Sequence, residues 1–157
     1  MNASPLIFLS HLGLLEVLNE PGIPVFVPDI VIREISAHGR TDPSVVAVLG
    51  TSWIQVTPAP PTPDPVAACR LDPGETAVLS LALQESDTQV ILDDLAARHC
   101  AVKLCLQLQG TLGLILVAKA IGMITEVRPI IDSARRAGLY ISDSLVRMVL
   151  KQAGEST

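Results

Sequence analysis

The strongest constraint on this chain is an alternation of short apolar, strand-like runs with longer segments of helical period. Residues 24–27, 53–57, 89–92 and 102–106 read as strands. Between them lie segments with clear start and stop signals. Ser4-Pro5 looks like a cap followed by proline at the first helical position, and this helix is expected to end near Asn19. Asp29 is expected to cap a helix carrying Arg33 and Glu34, and Asp42-Pro43 to open one that Gly50 stops. Asp72-Pro73-Gly74-Glu75 opens a helix running to about Glu85, and the helix after Asp93-Asp94 holds Arg98. Gly110-Thr111 begins a strongly apolar helix closed by Gly122, and two more are expected over about 127–137 and 143–153. Strands alternating with helices imply an α/β fold, with a central parallel sheet covered on both faces. The last two helices have no strand partner. They should form a C-terminal helical hairpin on the sheet's flank or on a second subunit.

A length of 157 residues favours a single domain over 1–157, with residues 127–153 as its helical extension. The segment 58–65, PAPPTPDP, is a stiff connector too short to mark a domain boundary. Apolar residues make up 49% and charged residues 17%, which excludes a disordered chain. Aromatics at 3% argue against an RNA module that stacks bases on an aromatic platform. A net charge of −5 excludes a broadly basic nucleic-acid-coating protein but leaves room for a local basic groove. The three cysteines, Cys69, Cys100 and Cys105, are odd in number and lack a CxxC pair. They are expected to be buried free thiols in a reducing, cytoplasmic setting. No secretory signal is read at the start. The most apolar stretch, 110–124, is shorter than the ~20 residues that span a bilayer, and Lys119 interrupts it. So much apolar surface on a chain of this size points to self-association as a homodimer.

In open parallel sheets, ligands bind beyond the carboxyl ends of the strands. The polar residues at strand ends or on the next helical turn are Asn2, Ser4, Glu34, Glu75, Asp93, Asp94 and Thr111. If the sheet is wound that way, four carboxylates and an amide converge. Clustered carboxylates repel unless a cation joins them. Oxygen donors without His or Cys favour Mg²⁺ or Mn²⁺, suited to phosphodiester hydrolysis. Each acid also has a plainer role. Glu75 stands three residues after Asp72, the spacing of a capping box. Glu34 on a helix surface suits a solvated charge. Asp94 suits a helix cap, or an i,i+4 partner for Arg98. Thr111 is equally a plain cap or part of a phosphate site at a helix N-terminus. His11, His38 and His99 have no metal-spaced partners and read as surface or satisfied histidines. Arg135-Arg136 reads as a solvated helix face able to touch RNA backbone. A receiver-like phosphoacceptor, suggested by Asp93-Asp94 with Thr111 and Lys119, is disfavoured because those acids follow a late strand.

In order and spacing, Asn2-Ala3-Ser4-Pro5-Leu6-Ile7, Pro28 through Glu34-Ile35, Asp72-Pro73-Gly74-Glu75 with Ala82, Leu92-Asp93-Asp94 with Ala97-Arg98, and Gly110-Thr111-Leu112-Gly113 with Ala118-Lys119 resemble the PIN-domain family. The likeness runs from residue 2 to about 150 and is greatest to its nucleic-acid-binding, toxin-like subgroup. It implies a Rossmann-like three-layer α/β/α sandwich and a metal-dependent ribonuclease, held in check by an antitoxin protein where it serves as a toxin. It also implies RNA as partner and Mg²⁺ or Mn²⁺ as cofactor. Asn2 matches the family's first acid, Ser4 its supporting hydroxyl, Glu34 the second acid, Glu75 the third, and Asp93 or Asp94 the fourth. Arg98 and Thr111 are candidates for support or RNA-phosphate contact, Thr111 as a mark of the subgroup. Two features depart from the pattern. Asn2 is neutral, and an amide oxygen ligates Mg²⁺ more weakly than a carboxylate. Only Met1 precedes it, where the family has several strand residues, so either the start lies upstream or the first strand is nearly absent. Both departures favour the alternative of a catalytically impaired PIN domain that binds RNA or protein.

Overall fold

A computed structural model describes residues 1–37, 42–85 and 87–155. Its strands are parallel and fall into two pairs. β1 (Val25–Pro28) pairs with β2 (Ile54–Thr57), with Val25 opposite Ile54. β3 (Gln89–Ile91) pairs with β4 (Gln107–Gln109), with Gln89 opposite Gln107. Among the described residues the two pairs are separate sheets, not one. The helices between them are α1 (Ala3–His11), α2 (Asp29–Ser36), α3 (Pro43–Leu49), α4 (Asp64–Ala67), α5 (Pro73–Ala82), α6 (Leu95–Lys103), α7 (Thr111–Ala120), α8 (Arg128–Arg136) and α9 (Asp143–Gln152). The α/β class follows the alternation read from the sequence.

Local chemistry explains most boundaries. Asp42 caps α3 by accepting the Ser44 N–H at 2.8 Å, and Gly50 ends that helix. In α2, Val31 and Ile35 lie one turn apart and are both buried, while Arg33 between them is exposed. Leu6, Leu9, Val27, Leu79, Leu92, Ile115, Ile131 and Leu150 are among the core side chains shut off from solvent. Burying each such side chain is worth about 1.5–3 kcal/mol. No helix among the described residues is long and apolar enough to cross a membrane.

Several expectations are corrected. The first helix starts at Ala3 behind Asn2, so Ser4 is exposed within it and is not its cap. It does not reach Asn19: Gly13, at φ +67°, breaks it, and a 3₁₀ turn (Leu15–Leu18) follows. Residues 102–106 are not a strand. Val102 and Lys103 finish α6, Cys105 reverses the chain at φ +57°, and β4 starts only at Gln107. The helix expected to reach Glu85 ends at Ala82. The proline-rich connector ends in α4, whose Val66 is fully buried.

The cysteines are not free buried thiols. Cys69 and Cys100 form a disulfide across 31 residues, and Cys105 is exposed. The crossover from β3 into α6 brings Cys100 back against the segment that precedes α5, a meeting that linear spacing does not reveal. Arg135 is not a free surface cation either: it donates to the Ile141 carbonyl and pairs with Asp143 at 2.7 Å, tying α8 to α9. Just beyond α9, Glu155 accepts from Lys119 Nζ at 2.6 Å, from Val127 N–H at 2.6 Å and from Arg128 N–H at 3.0 Å. One carboxylate thereby joins α7, the start of α8 and the tail of α9. His38 lies outside the described residues; His11 and His99 are exposed.

Candidate active site

The sequence Asp72-Pro73-Gly74-Glu75 builds the centre of the site. Pro73 occupies the first position of α5, where its missing N–H costs nothing. Glu75, two residues on, bonds back to the Asp72 N–H, the reciprocal half of a capping box. Gly74 sits against Glu34 of α2. Its N–H donates to the Glu34 carboxylate, and a Cβ at this position would overlap both carboxylate oxygens. A glycine at 74 therefore lets the Glu34 carboxylate rest directly against the first turn of α5.

This packing gathers negative charge. Glu75 is half-buried, and burial pushes its carboxyl up to about 7. The carboxylates of Asp94, Asp72 and Glu34 push the same way, against the pull of the Asp72 N–H. Burial also raises Glu34, with Asp72 adding to it and the Gly74 N–H opposing it. The positive end of the α5 dipole offsets part of this repulsion. Asp94 is exposed and caps α6, accepting the Ala97 N–H at 2.9 Å. The structure thus brings Glu34, Glu75 and Asp94 together and adds Asp72, which the sequence suggested only as a cap.

Asp93 points elsewhere. Its carboxylate accepts the Thr111 N–H at 2.8 Å and the Thr111 hydroxyl at 2.6 Å. Asp93 therefore sits at the start of α7, where the phosphate interpretation of Gly110-Thr111 would have placed an anion. Arg98 donates to the Leu92 carbonyl at 3.0 Å. A Cβ on Gly110 would lie 2.7 Å from Arg98 and 3.0 Å from Asp93. Arg98, Asp93, Gly110 and Thr111 form one tightly packed corner. Lys119, paired with Glu155, is engaged elsewhere.

Asn2 enters through its backbone, whose N–H donates to the Ile91 carbonyl at 3.2 Å. That places it beside the end of β3, two residues before Asp93. Asn2 is buried, and its Oδ1 is a shielded acceptor with no hydrogen-bond partner. Such an orphan costs about 1–3 kcal/mol and calls for an explanation. A cation is one. The donors are all oxygens, in excess of local positive charge, and so suit a hard divalent ion. Among the described residues, no three His, Cys, Asp or Glu side chains close around a single point. The acids are gathered without forming a finished cage. What sequence reasoning missed was Gly74; the signal was a glycine inside a helical first turn, where it is otherwise unfavourable.

Parallel strands with carboxylates collected beyond their carboxyl ends define an α/β protein with a candidate ligand site at the strand ends. A family model described as PIN domain matches residues 1–155, and the chain belongs to that family, a nuclease family. Comparison with curated proteins and with solved structures gave no match.

Proposed function

We propose that the protein is a divalent-metal-dependent ribonuclease of PIN type. The observation that carries this proposal is the convergence of Glu34, Glu75 and Asp94 at the head of α5; the buried, partnerless Asn2 Oδ1 beside the end of β3 is a further oxygen donor. Mg²⁺ or Mn²⁺ bound there would acidify an attacking water and steady the phosphoryl oxygens. Without metal, burial and the neighbouring carboxylates hold Glu75 at about 7; a bound cation would offset that repulsion and keep it ionised as a ligand. Gly74 and the Asp72 N–H fix the two glutamates, so little reorganisation is needed during reaction. Asp93 acts as a positioning residue: through Thr111 it fixes the turn that carries Asp94.

The test is cleavage of a generic fluorogenic RNA in Mn²⁺, in Mg²⁺ and in EDTA, comparing the native chain with Glu75→Gln and Asp94→Asn. Metal-dependent cutting that falls at least ~100-fold in both variants is expected. Cutting that survives EDTA or both substitutions overturns the proposal. A second reading, an RNA-binding domain without catalysis, draws on the neutral Asn2 and on the engagement of Asp93 with Thr111. It expects RNA retention on filters that is indifferent to EDTA.

A further inference from the structure

Two acids of the candidate site hang on one disulfide. Cys69 stands six residues before Glu75, and Cys100 six residues after Asp94. The bond between them limits how far the start of α5 can move from α6. The connection from Cys69 to α5 is short and bent. Arg70 holds φ +53°, a left-handed backbone that residues other than glycine rarely adopt. Its N–H donates to the Ala67 carbonyl at 3.2 Å, and the next carbonyl, that of Leu71, accepts the Thr76 hydroxyl at 3.3 Å. Such a conformation persists only where its surroundings over-determine it. Here those surroundings are the sulfur bond of Cys69 on one side and the first turn of α5 on the other. Opening the bond removes one of the two holds, and Asp72-Pro73-Gly74-Glu75 is the segment next in line.

The two sulfurs are not equally open to attack. Cys69 is half-buried just beyond α4, whereas Cys100 is only 2% exposed on the inner side of α6. A thiolate arriving from solvent therefore meets Cys69. The remaining thiol, Cys105, is exposed in the turn between α6 and β4 and takes no part in the bond.

We propose that Cys69–Cys100 is a reversible thiol-exchange site, opened at Cys69 Sγ by a dithiol, and that its opening loosens the candidate metal site. This regulation rests on the metal-site reading above. One thiolate of the dithiol attacks Cys69 Sγ; the Cys69–Cys100 bond breaks, and its electron pair leaves on Cys100 Sγ, which takes a proton. The second thiolate then attacks the dithiol's own sulfur in the mixed disulfide and releases Cys69 Sγ, which takes the other proton. The dithiol is oxidised to its disulfide, and the protein is reduced to two thiols. Freed from α6, the head of α5 no longer holds Glu75 firmly against Asp94, and a cation shared by them is bound less tightly.

The test uses the full chain carrying Cys105→Ser, first oxidised, then reduced with dithiothreitol without denaturant, then reoxidised with oxidised glutathione. The bond is expected to open with the circular dichroism of the folded chain retained. Reduced glutathione, a monothiol, traps the first step, and peptide mass mapping should find it on Cys69. On reduction, hydrogen exchange at the Gly74 and Thr76 amides should quicken at least ~tenfold, with the amides of α9 unchanged. Mn²⁺ titrated by calorimetry should bind about tenfold more weakly, and reoxidation should restore both values. A bond that opens only in urea, a fold lost on reduction, or glutathione found on Cys100 overturns the proposal. So does unchanged exchange at Gly74 and Thr76, or equal Mn²⁺ affinity in the two forms. Absence of Mn²⁺ binding in both forms overturns the metal-site reading instead, and exchange at Gly74 and Thr76 then decides whether the bond controls the head of α5.

Discussion

Adjacent residues of the same kind can do opposite work, and Asp93 and Asp94 show it. Asp94 caps α6 and faces Glu75, whereas Asp93 is bound twice by Thr111. Asp94→Asn keeps an effective cap and should change stability by less than about 0.5 kcal/mol while abolishing metal-dependent cleavage. Asp93→Asn weakens charge-assisted bonds in a packed corner and should cost about 1–3 kcal/mol. Thermal melts of the two variants beside the cleavage assay separate these roles, and equal losses of stability would contradict them. Glu75 makes a pH prediction. Its carboxyl is raised from 4.5 to about 7, so its contribution to stability is intact below pH 4.5 and is lost as pH rises through about 7. In EDTA, Glu75→Gln should gain on the native protein across that window. Parallel curves of Tm against pH would refute this.

Helices in this molecule are fastened by a few long-range links. The Cys69–Cys100 bond ties the approach to α5, which carries Glu75, to α6, which Asp94 caps. Closing a loop of this length is worth about 3–4 kcal/mol in the chain-entropy model. Reductant, or a Cys69→Ser/Cys100→Ser double variant, should lower stability by up to that amount, as read by urea melts with and without thiol. The second link is Glu155, bonded to Lys119 and to the first N–H groups of α8. Glu155→Ala leaves those partners unsatisfied and should cost about 1–3 kcal/mol. Faster exchange in α8 and α9 than in α2 would locate the loss. Element order was legible because Asp42-Pro43, Asp72-Pro73-Gly74-Glu75 and Gly110-Thr111 announce helix starts through local chemistry. The misassigned 102–106 strand arose because Val102, Leu104, Cys105 and Leu106 make a short apolar run while lying at the end of a helix and in its turn. Short apolar runs do not separate the two periods.

At the scale of the whole molecule, the candidate site spans both strand pairs. Glu34 belongs to α2, which follows β1, while Asp94 follows β3, and α5 with Glu75 packs on both strands. A cation shared by these acids would join the two halves. Mn²⁺ at a hundredfold excess over its Kd should therefore stabilise the native chain by about 2.7 kcal/mol, reversed by EDTA and weakened in Glu34→Gln. Calorimetry without that shift would argue against a shared ion. The acids of the site could be listed from the sequence, because strand ends and first turns are local. Which acid faces the cluster could not, because Asp93 and Asp94 differ only in what α7 and α5 place beside them. The disulfide lay further from view, since it depends on a crossover. It also makes residues 69–100 a covalent ring that contains α5 and β3, with Glu75 and Asp94 among its members. A protease that cuts this ring once leaves a single molecule of unchanged mobility in a denaturing gel without thiol. A preparation can therefore be severed between its candidate acids and still pass for intact.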